Sequence, residues 1–251
     1  MKQSIALPSP ARVLPRGELR LVNRSHPLPA ELAPPALAPA LPGHPDILLE
    51  ARAAAALTAL VSALGRPGEI VPVSGFRPHW EQQQIWDDTL RTEGEAFTRQ
   101  YVALPGCSEH QTGLAMDLGR AADHIDFIRP DFPDDGVCGV FRRAAADYGF
   151  LQRYTREKEA LTGISEEPWH FRYVGVPHAR LMAEHDLCLE EYVPFLQERP
   201  RTCRLGNGSR ARVSWLPCPG GAVEAELPEG CCQVSGDNVD GFIVTAWEAL
   251  S

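Results

Sequence analysis

Five residues in this chain have the types and spacing for hydrolytic chemistry at a metal ion. His110, Asp117 and His170 are candidate ligands. Two neutral imidazoles and one carboxylate leave a divalent ion with net positive charge, and three protein ligands leave one position open, as in catalytic zinc sites. An ion held this way brings the pKa of water toward neutrality. Glu167, three residues before His170, is a candidate base that could take a proton from water and pass it to a leaving amine. Arg77 closes the segment Ser74-Gly75-Phe76-Arg77, where a permanently charged fork could stabilise a developing oxyanion. Each residue alone has a plainer explanation: a capping histidine, a strand-end aspartate, a hydrogen-bonded Glu–His pair, a solvent-facing arginine. Their joint placement on polar faces favours the metal site.

The elements that must position them can be read from periodicity. In the stretch 167–175, His170, Arg172 and Val174 point one way, and Trp169, Phe171 and Tyr173 the other. Strict alternation marks a half-buried strand, here with an aromatic face for the core and with His170 and Arg172 on a surface or cleft. Pro168 argues against a helix interior. It is expected to fix a turn that lets Glu167 and His170, three apart, face one metal. Leu114, Met116 and Leu118 alternate with Ala115 and Asp117, a second half-buried strand, with His110 in the turn before it. Helices are expected from Asp46 to Leu64, capped by Asp46 and closed by Gly65; from about Pro78; and over Gly136 to Tyr148, closed by Gly149. Strands are expected at Ile70–Val73 and Phe150–Leu151, with short helices from Pro177 and over Leu189–Gln197.

Composition narrows the function. The chain has 251 residues, 44% hydrophobic, with 24 basic and 33 acidic side chains and a net charge of −9. That length holds one well-cored domain and a small second unit. The acidic balance and scattered basic residues give no footprint for nucleic acid. No apolar run is long enough to span a bilayer, and the first residues lack the apolar stretch of a secretory signal, so a cytoplasmic location is expected. Seven cysteines in no paired zinc-knuckle spacing read as reduced, mostly buried thiols. Residues 1–45, rich in Pro and Ala, read as an extended arm anchored near Leu14–Arg16 and Leu21–Asn23, its first dozen residues a disordered leader. Residues 46–200 read as the main domain and 201–251 as a small β-rich appendage. His124 with Asp123 and Asp126 reads as a loop beside the cleft, and His178 and His185 as helix-surface residues.

Ser108-x-His110-x-x-Gly113-x-Ala115-x-Asp117 followed by Glu167-Pro168-Trp169-His170 resembles the zinc D-Ala-D-Ala carboxypeptidase and dipeptidase family, which includes vancomycin-resistance D,D-peptidases and shares a fold with the hedgehog signalling domain. Ser74-Gly75-Phe76-Arg77 with Gln82, Leu21-Val22-Asn23-Arg24, Thr162-Gly163-Ile164 and Phe171-Arg172-Tyr173-Val174-Gly175 extend the resemblance over residues 14–197. It implies an α+β fold, a small mainly antiparallel sheet with helices on one side and the metal cleft on the other. It implies zinc on His110, Asp117 and His170, Glu167 as base and then acid, and Arg77 stabilising the transition state. Ser108 and Gln82 would hold the substrate's D-Ala end, with Trp169 packed beside the site. The implied substrate is a peptidoglycan stem peptide or the free D-Ala-D-Ala dipeptide. An L,D-carboxypeptidase or L-Ala-D-Glu endopeptidase of the same fold, and a non-catalytic zinc or peptidoglycan-binding module, are the alternatives. Two positions depart from the pattern: Phe76 stands for the commoner Tyr, and Glu166 for an aromatic residue.

Overall fold

The two alternating stretches do form neighbouring strands, and the rest of the central sheet is built around them. The structure, a computed structural model, describes residues 2–7, 15–29, 32–206, 208–218, 223–228 and 231–248. Its strands are β1 (Lys2–Leu7), β2 (Leu37–Pro39), β3 (Leu48–Glu50), β4 (Ile70–Ser74), β5 (Ala115–Arg120), β6 (Phe150–Tyr154), β7 (Glu167–Tyr173), β8 (Arg201–Arg204), β9 (Arg210–Pro217), β10 (Val223–Pro228), β11 (Cys232–Gly236) and β12 (Gly241–Glu248). Its α-helices are α1 (Ala51–Ala63), α2 (His79–Glu93), α3 (Glu95–Tyr101), α4 (Gly136–Ala144), α5 (Glu159–Thr162), α6 (Val176–Glu184) and α7 (Leu189–Glu198). The chain divides into two compact units, Val22–Ala179 and Met1–Leu21 with Arg180–Ser251. The segment expected as one arm, 1–45, is thus shared between the two, and the main unit ends near residue 179 rather than 200.

In the unit Val22–Ala179 the sheet has the order β4-β5-β7-β6, every pair antiparallel. Its core face carries Leu114, Met116, Leu118, Trp169 and Phe171, packed with Leu57 and Leu60 of α1 and Phe141 of α4. Phe171 meets Phe132 and Phe141 edge-on, at centroid distances of 5.3 and 4.9 Å. Such edge-to-face pairs each add about 0.5–1.5 kcal/mol beyond area burial. The expected α+β class, an antiparallel sheet with helices covering one face, is the observed one.

Two local expectations are corrected. The first helix begins at Ala51, not Asp46, because Leu48–Glu50 pairs antiparallel with Leu37–Pro39 before the helix starts. Glu50 caps it instead, its carboxylate accepting the backbone N–H of Arg52 and Ala53 at 2.9 and 3.2 Å. The helix begun at Gly136 tightens into a 3-10 turn over Ala145–Tyr148 before Gly149, whose φ of +85° closes it.

In the second unit β11-β12-β9-β8 form an antiparallel sheet and β1 pairs with β10. The β-rich reading of 201–251 therefore holds. The leader expectation is corrected for Lys2–Leu7, which is a strand; residues 8–14 lie outside the described ones. Leu19 N–H donates to Ser235 Oγ at 3.0 Å and Leu21 N–H to the Asp237 carbonyl at 2.8 Å, so the N-terminal segment belongs to this unit. Among the described residues no helix is long and apolar enough to cross a membrane. All seven cysteines are free thiols, but only Cys138, Cys188 and Cys203 are buried, fewer than expected.

Candidate active site

Asp117 and His170 are directly opposed across the β5–β7 ladder, so strand register alone brings them together. His170 Nδ1 lies 2.8 Å from Asp117 Oδ1, and His110 Nε2 lies 3.1 Å from Asp117 Oδ2. His110 arrives from the 3-10 turn Glu109–Thr112, which Gly113 ends at a φ of +71° before β5 starts. Its ring is turned by the carbonyl of Gly75, 2.7 Å from Nδ1. Gly75 is the residue this approach requires. A Cβ there would sit 2.2 Å from the Leu48 carbonyl oxygen, so any larger residue would push β3 and the Gly75 carbonyl apart.

Glu167 and His170 are an odd number of residues apart and would point to opposite faces of a straight strand. The structure resolves this with an irregularity in register. Phe171 pairs with Gln152 but Glu167 with Tyr154, so β7 carries two residues more than β6 between these pairs. Pro168 sits in this bulge, where its missing N–H costs no ladder bond. The expected turn at Pro168 is therefore a bulge within a continuous strand. Glu167 Oε2 ends 3.6 Å from His170 Nδ1. A smaller register shift between Pro72 and Ser74 ends β4 just before the Gly75–Arg77 segment.

Arg77, Gln82, Ser108, His110, Asp117, Glu167, Trp169 and His170 all line one cleft. Arg77 Nη2 is 3.5 Å from Asp117 Oδ2, and its buried Nε has no hydrogen-bond partner. Gln82 Nε2 donates to the Ala103 carbonyl at 2.8 Å, while its buried Oε1 is unpartnered. Trp169 both lines the cleft and belongs to the core.

The electrostatics of these groups follow from burial and proximity. Burial alone would raise the Asp117 carboxyl, but the two imidazoles overcome it and hold it well below the usual carboxylate range. Burial and then Arg77 lower His110 to about 4, leaving its imidazole neutral at physiological pH. Burial opposes the charged form of His170, yet Asp117 and its hydrogen bond raise it to about 9. Burial raises Glu167 to about 8, against the pull of His170.

The donor set fits a metal ion. One ligand atom from each of His110, Asp117 and His170 lies within 4.8 Å of the others, and all three residues are buried. His110 Nε2, aimed at this cluster, is buried without a hydrogen-bond partner. A cation between the three would satisfy that nitrogen and separate groups that otherwise crowd one another. The group can hold a metal ion, with Nδ1 of His110 already engaged on the far side.

Some residues that line the cleft are not evident from the sequence. Tyr154, whose ring centroid is 5.0 Å from that of His170, lines the cleft because β6 runs three residues beyond the expected Leu151. Phe127 and Ile128 also line it, so the loop after β5 borders the site as expected, although Asp126 is committed to the backbone N–H groups of Ile128 and Arg129. Arg172, expected on a surface or cleft, is fully buried and ion-paired with Glu109 at 3.0 Å. His178, expected on a helix surface, is buried too, and burial lowers it to about 3. Glu166 does not line the cleft; it pairs with Arg156 at 2.9 Å.

Comparison with known proteins places this geometry in context. Residues 46–176 match the family described as VanY: D-alanyl-D-alanine carboxypeptidase. The chain is 42% identical over 184 residues to the bifunctional D-Ala-D-Ala dipeptidase and D-Ala-D-Ala carboxypeptidase VanXYC of Enterococcus gallinarum, covering 73% of this chain and 97% of that one. It superposes with a TM-score of 0.93 on the crystal structure of the vancomycin resistance D,D-dipeptidase VanXYg in complex with a D-Ala-D-Ala phosphinate analog. The two are 45% identical, covering 99% of this chain and 100% of that one. A mutant of the vancomycin resistance D,D-pentapeptidase VanY, solved in complex with Zn(II), matches with a TM-score of 0.57 at 32% identity, covering 70% of this chain and 98% of that one.

Proposed function

Since the chain belongs to the VanY-type D-alanyl-D-alanine carboxypeptidase family, we propose that it hydrolyses the terminal D-Ala–D-Ala peptide bond of peptidoglycan precursors or of the free dipeptide, using zinc. One observation carries the reading. Three potential ligands, an acid–base carboxylate and a buried arginine, supplied by four separate segments, converge on one cleft.

His110 Nε2, Asp117 and His170 Nδ1 would hold the zinc, which when bound supplies Lewis acidity to the scissile carbonyl and to water. Glu167 takes the proton of the attacking water at its carboxylate and delivers it to the departing D-Ala amine. Its place beside the three ligand residues, 3.6 Å from His170 Nδ1, is what suits it to both halves of that transfer. Arg77, with its unpartnered Nε, offers a charged donor to the oxygen on which negative charge develops. Gln82 and Ser108 present buried polar groups to the terminal D-Ala, and Trp169 forms an apolar wall. The unbridged thiols agree with a reducing compartment, and we place the protein in the cytoplasm, where such precursors are made.

The test is D-Ala release by the zinc-loaded protein from D-Ala-D-Ala, a stem pentapeptide and a stem tetrapeptide. Release from either of the first two is expected. Release from the tetrapeptide alone would make the protein an L,D-carboxypeptidase, and release from none would leave a binding module.

A further inference from the structure

At His170 Nε2, the ring nitrogen opposite the one that meets Asp117, lies a wholly buried ionic cluster that borders the cleft and that the proposed chemistry does not use. Glu109 sits between Ser108 and His110 in sequence and has no exposed side-chain surface. Its Oε1 accepts from Arg153 Nε at 2.8 Å and lies 3.0 Å from Arg172 Nη1. Both arginines are themselves buried, one on β6 and one on β7. Its other oxygen, Oε2, has no hydrogen-bond partner and faces His170 Nε2, which also has none, across 3.7 Å. Two buried polar atoms of opposite hydrogen-bonding character, each unsatisfied and each facing the other, are a pair poised to close. Even a paired ionic cluster is costly to bury and calls for a reason.

We propose that Glu109 is a positioning residue: its Oε2 accepts the Nε2–H of His170 and so turns Nδ1 of that ring toward His110 and Asp117, while Arg153 and Arg172 hold the carboxylate from behind. The inference rests on the metallopeptidase reading above. It has an internal parallel, since His110 is held the opposite way round, with Nδ1 against the Gly75 carbonyl and Nε2 toward the cluster. Each imidazole thus has an acceptor on the nitrogen that faces away from the metal position. One acceptor is a backbone carbonyl and the other a carboxylate fixed by two guanidinium groups. Losing such an outer partner weakens metal affinity by about 10–100-fold in comparable sites.

The experiment uses the full chain with zinc and two variants. Glu109→Gln removes the charge, and Glu109→Asp keeps it for Arg153 and Arg172 while drawing the oxygen back from His170. Zinc affinity is measured by competition with a chelator. In zinc-loaded, 15N-histidine-labelled wild type, long-range 1H–15N correlation identifies which ring nitrogen of His170 carries the proton, with His170→Gln assigning the signal. Expected are a protonated, exchange-protected Nε2 in the wild type and about 10–100-fold weaker zinc binding in both variants. Zinc on Nε2 of His170 in the wild type would overturn the proposal even if neither variant folds. So would affinities within about twofold of wild type in folded variants, well short of the loss expected of an outer partner. A wild type that takes up no zinc would instead overturn the proposed function and this inference together. Wild-type D-Ala release with unchanged variant affinity sinks this inference alone.

Discussion

Replacing Glu167 with glutamine should make the metal-free protein more stable and the zinc enzyme nearly inactive. The carboxyl rises from an ordinary 4.5 to about 8 in the fold, first because it is buried and then because Asp117 and Glu109 oppose its ionisation. Between those two values the native state holds a proton that the unfolded chain has released. Stability therefore falls as pH rises through that window, by about 1.4 kcal/mol per unit. The loss accumulates to about 3 kcal/mol at pH 7 and levels off above the folded value, a large share of a typical 5–15 kcal/mol total. Glutamine does not ionise and escapes it. In urea unfolding of chelator-treated protein, Glu167→Gln should match wild type near pH 4 and exceed it by about 2–4 kcal/mol at pH 7. The zinc-loaded variant should lose at least about 10²–10⁴-fold in D-Ala release, the usual contribution of a general acid–base group. A stability difference that is zero at both pH values, or the same at both, would refute the account of Glu167 as a carboxyl strained by burial.

Arg77→Ala should retain zinc, because Arg77 contributes no ligand atom to the metal group, yet lower kcat/KM by about 10²–10³-fold, as removal of one transition-state donor does elsewhere; zinc content by elemental analysis together with steady-state kinetics checks both halves. Phe171→Ala, which empties a fully buried position between Phe132 and Phe141, should cost about 3–5 kcal/mol in denaturant unfolding, and a cost below about 1 kcal/mol would mean the core under the sheet is not packed as described.

What could be read from the sequence was what local periodicity encodes. Leu114–Leu118 and Trp169–Tyr173 announce two strands with one apolar face each, and the polar faces nominate Asp117 and His170. Their direct pairing across β5–β7 then follows from register. What escaped depends on partners distant in sequence. Leu48–Glu50 is a strand only because Leu37–Pro39 lies beside it, so the helix start was misplaced by residues whose own propensities do not differ sharply. Arg172 alternates in phase with His170 and looks cleft-facing. The carboxylate of Glu109, some sixty residues earlier, helps explain how a guanidinium can be buried there. Glu166, an unexplained departure in the sequence, is accounted for by Arg156 ten residues before it. The candidate site was legible because residues able to hold a metal are few in kind and fixed in type. Tyr154 was not, because an aromatic residue at a strand end looks the same whether it faces a core or a cleft.

The bulge that carries Pro168 has a consequence for how such a protein can change over time. With Glu167 and His170 on one continuous strand, and Asp117 locked to His170 by ladder register, the spacing of the proposed base from these two proposed ligands is set within the sheet, and only His110 is brought in from a turn. The cleft walls that touch only the substrate come from elsewhere: Gln82 from a helix, Ser108 from the approach to a turn, Phe127 and Ile128 from a loop. Insertions and substitutions in the helix and the loop, away from the turn that carries His110, can alter which peptide is accepted while the sheet-borne part of the centre keeps its dimensions. A single-residue insertion or deletion inside Glu167–His170 cannot, because it would turn one of the two away from the other. Tolerance to length change is thus divided along the chain: permitted where the substrate is recognised, forbidden where it is cut.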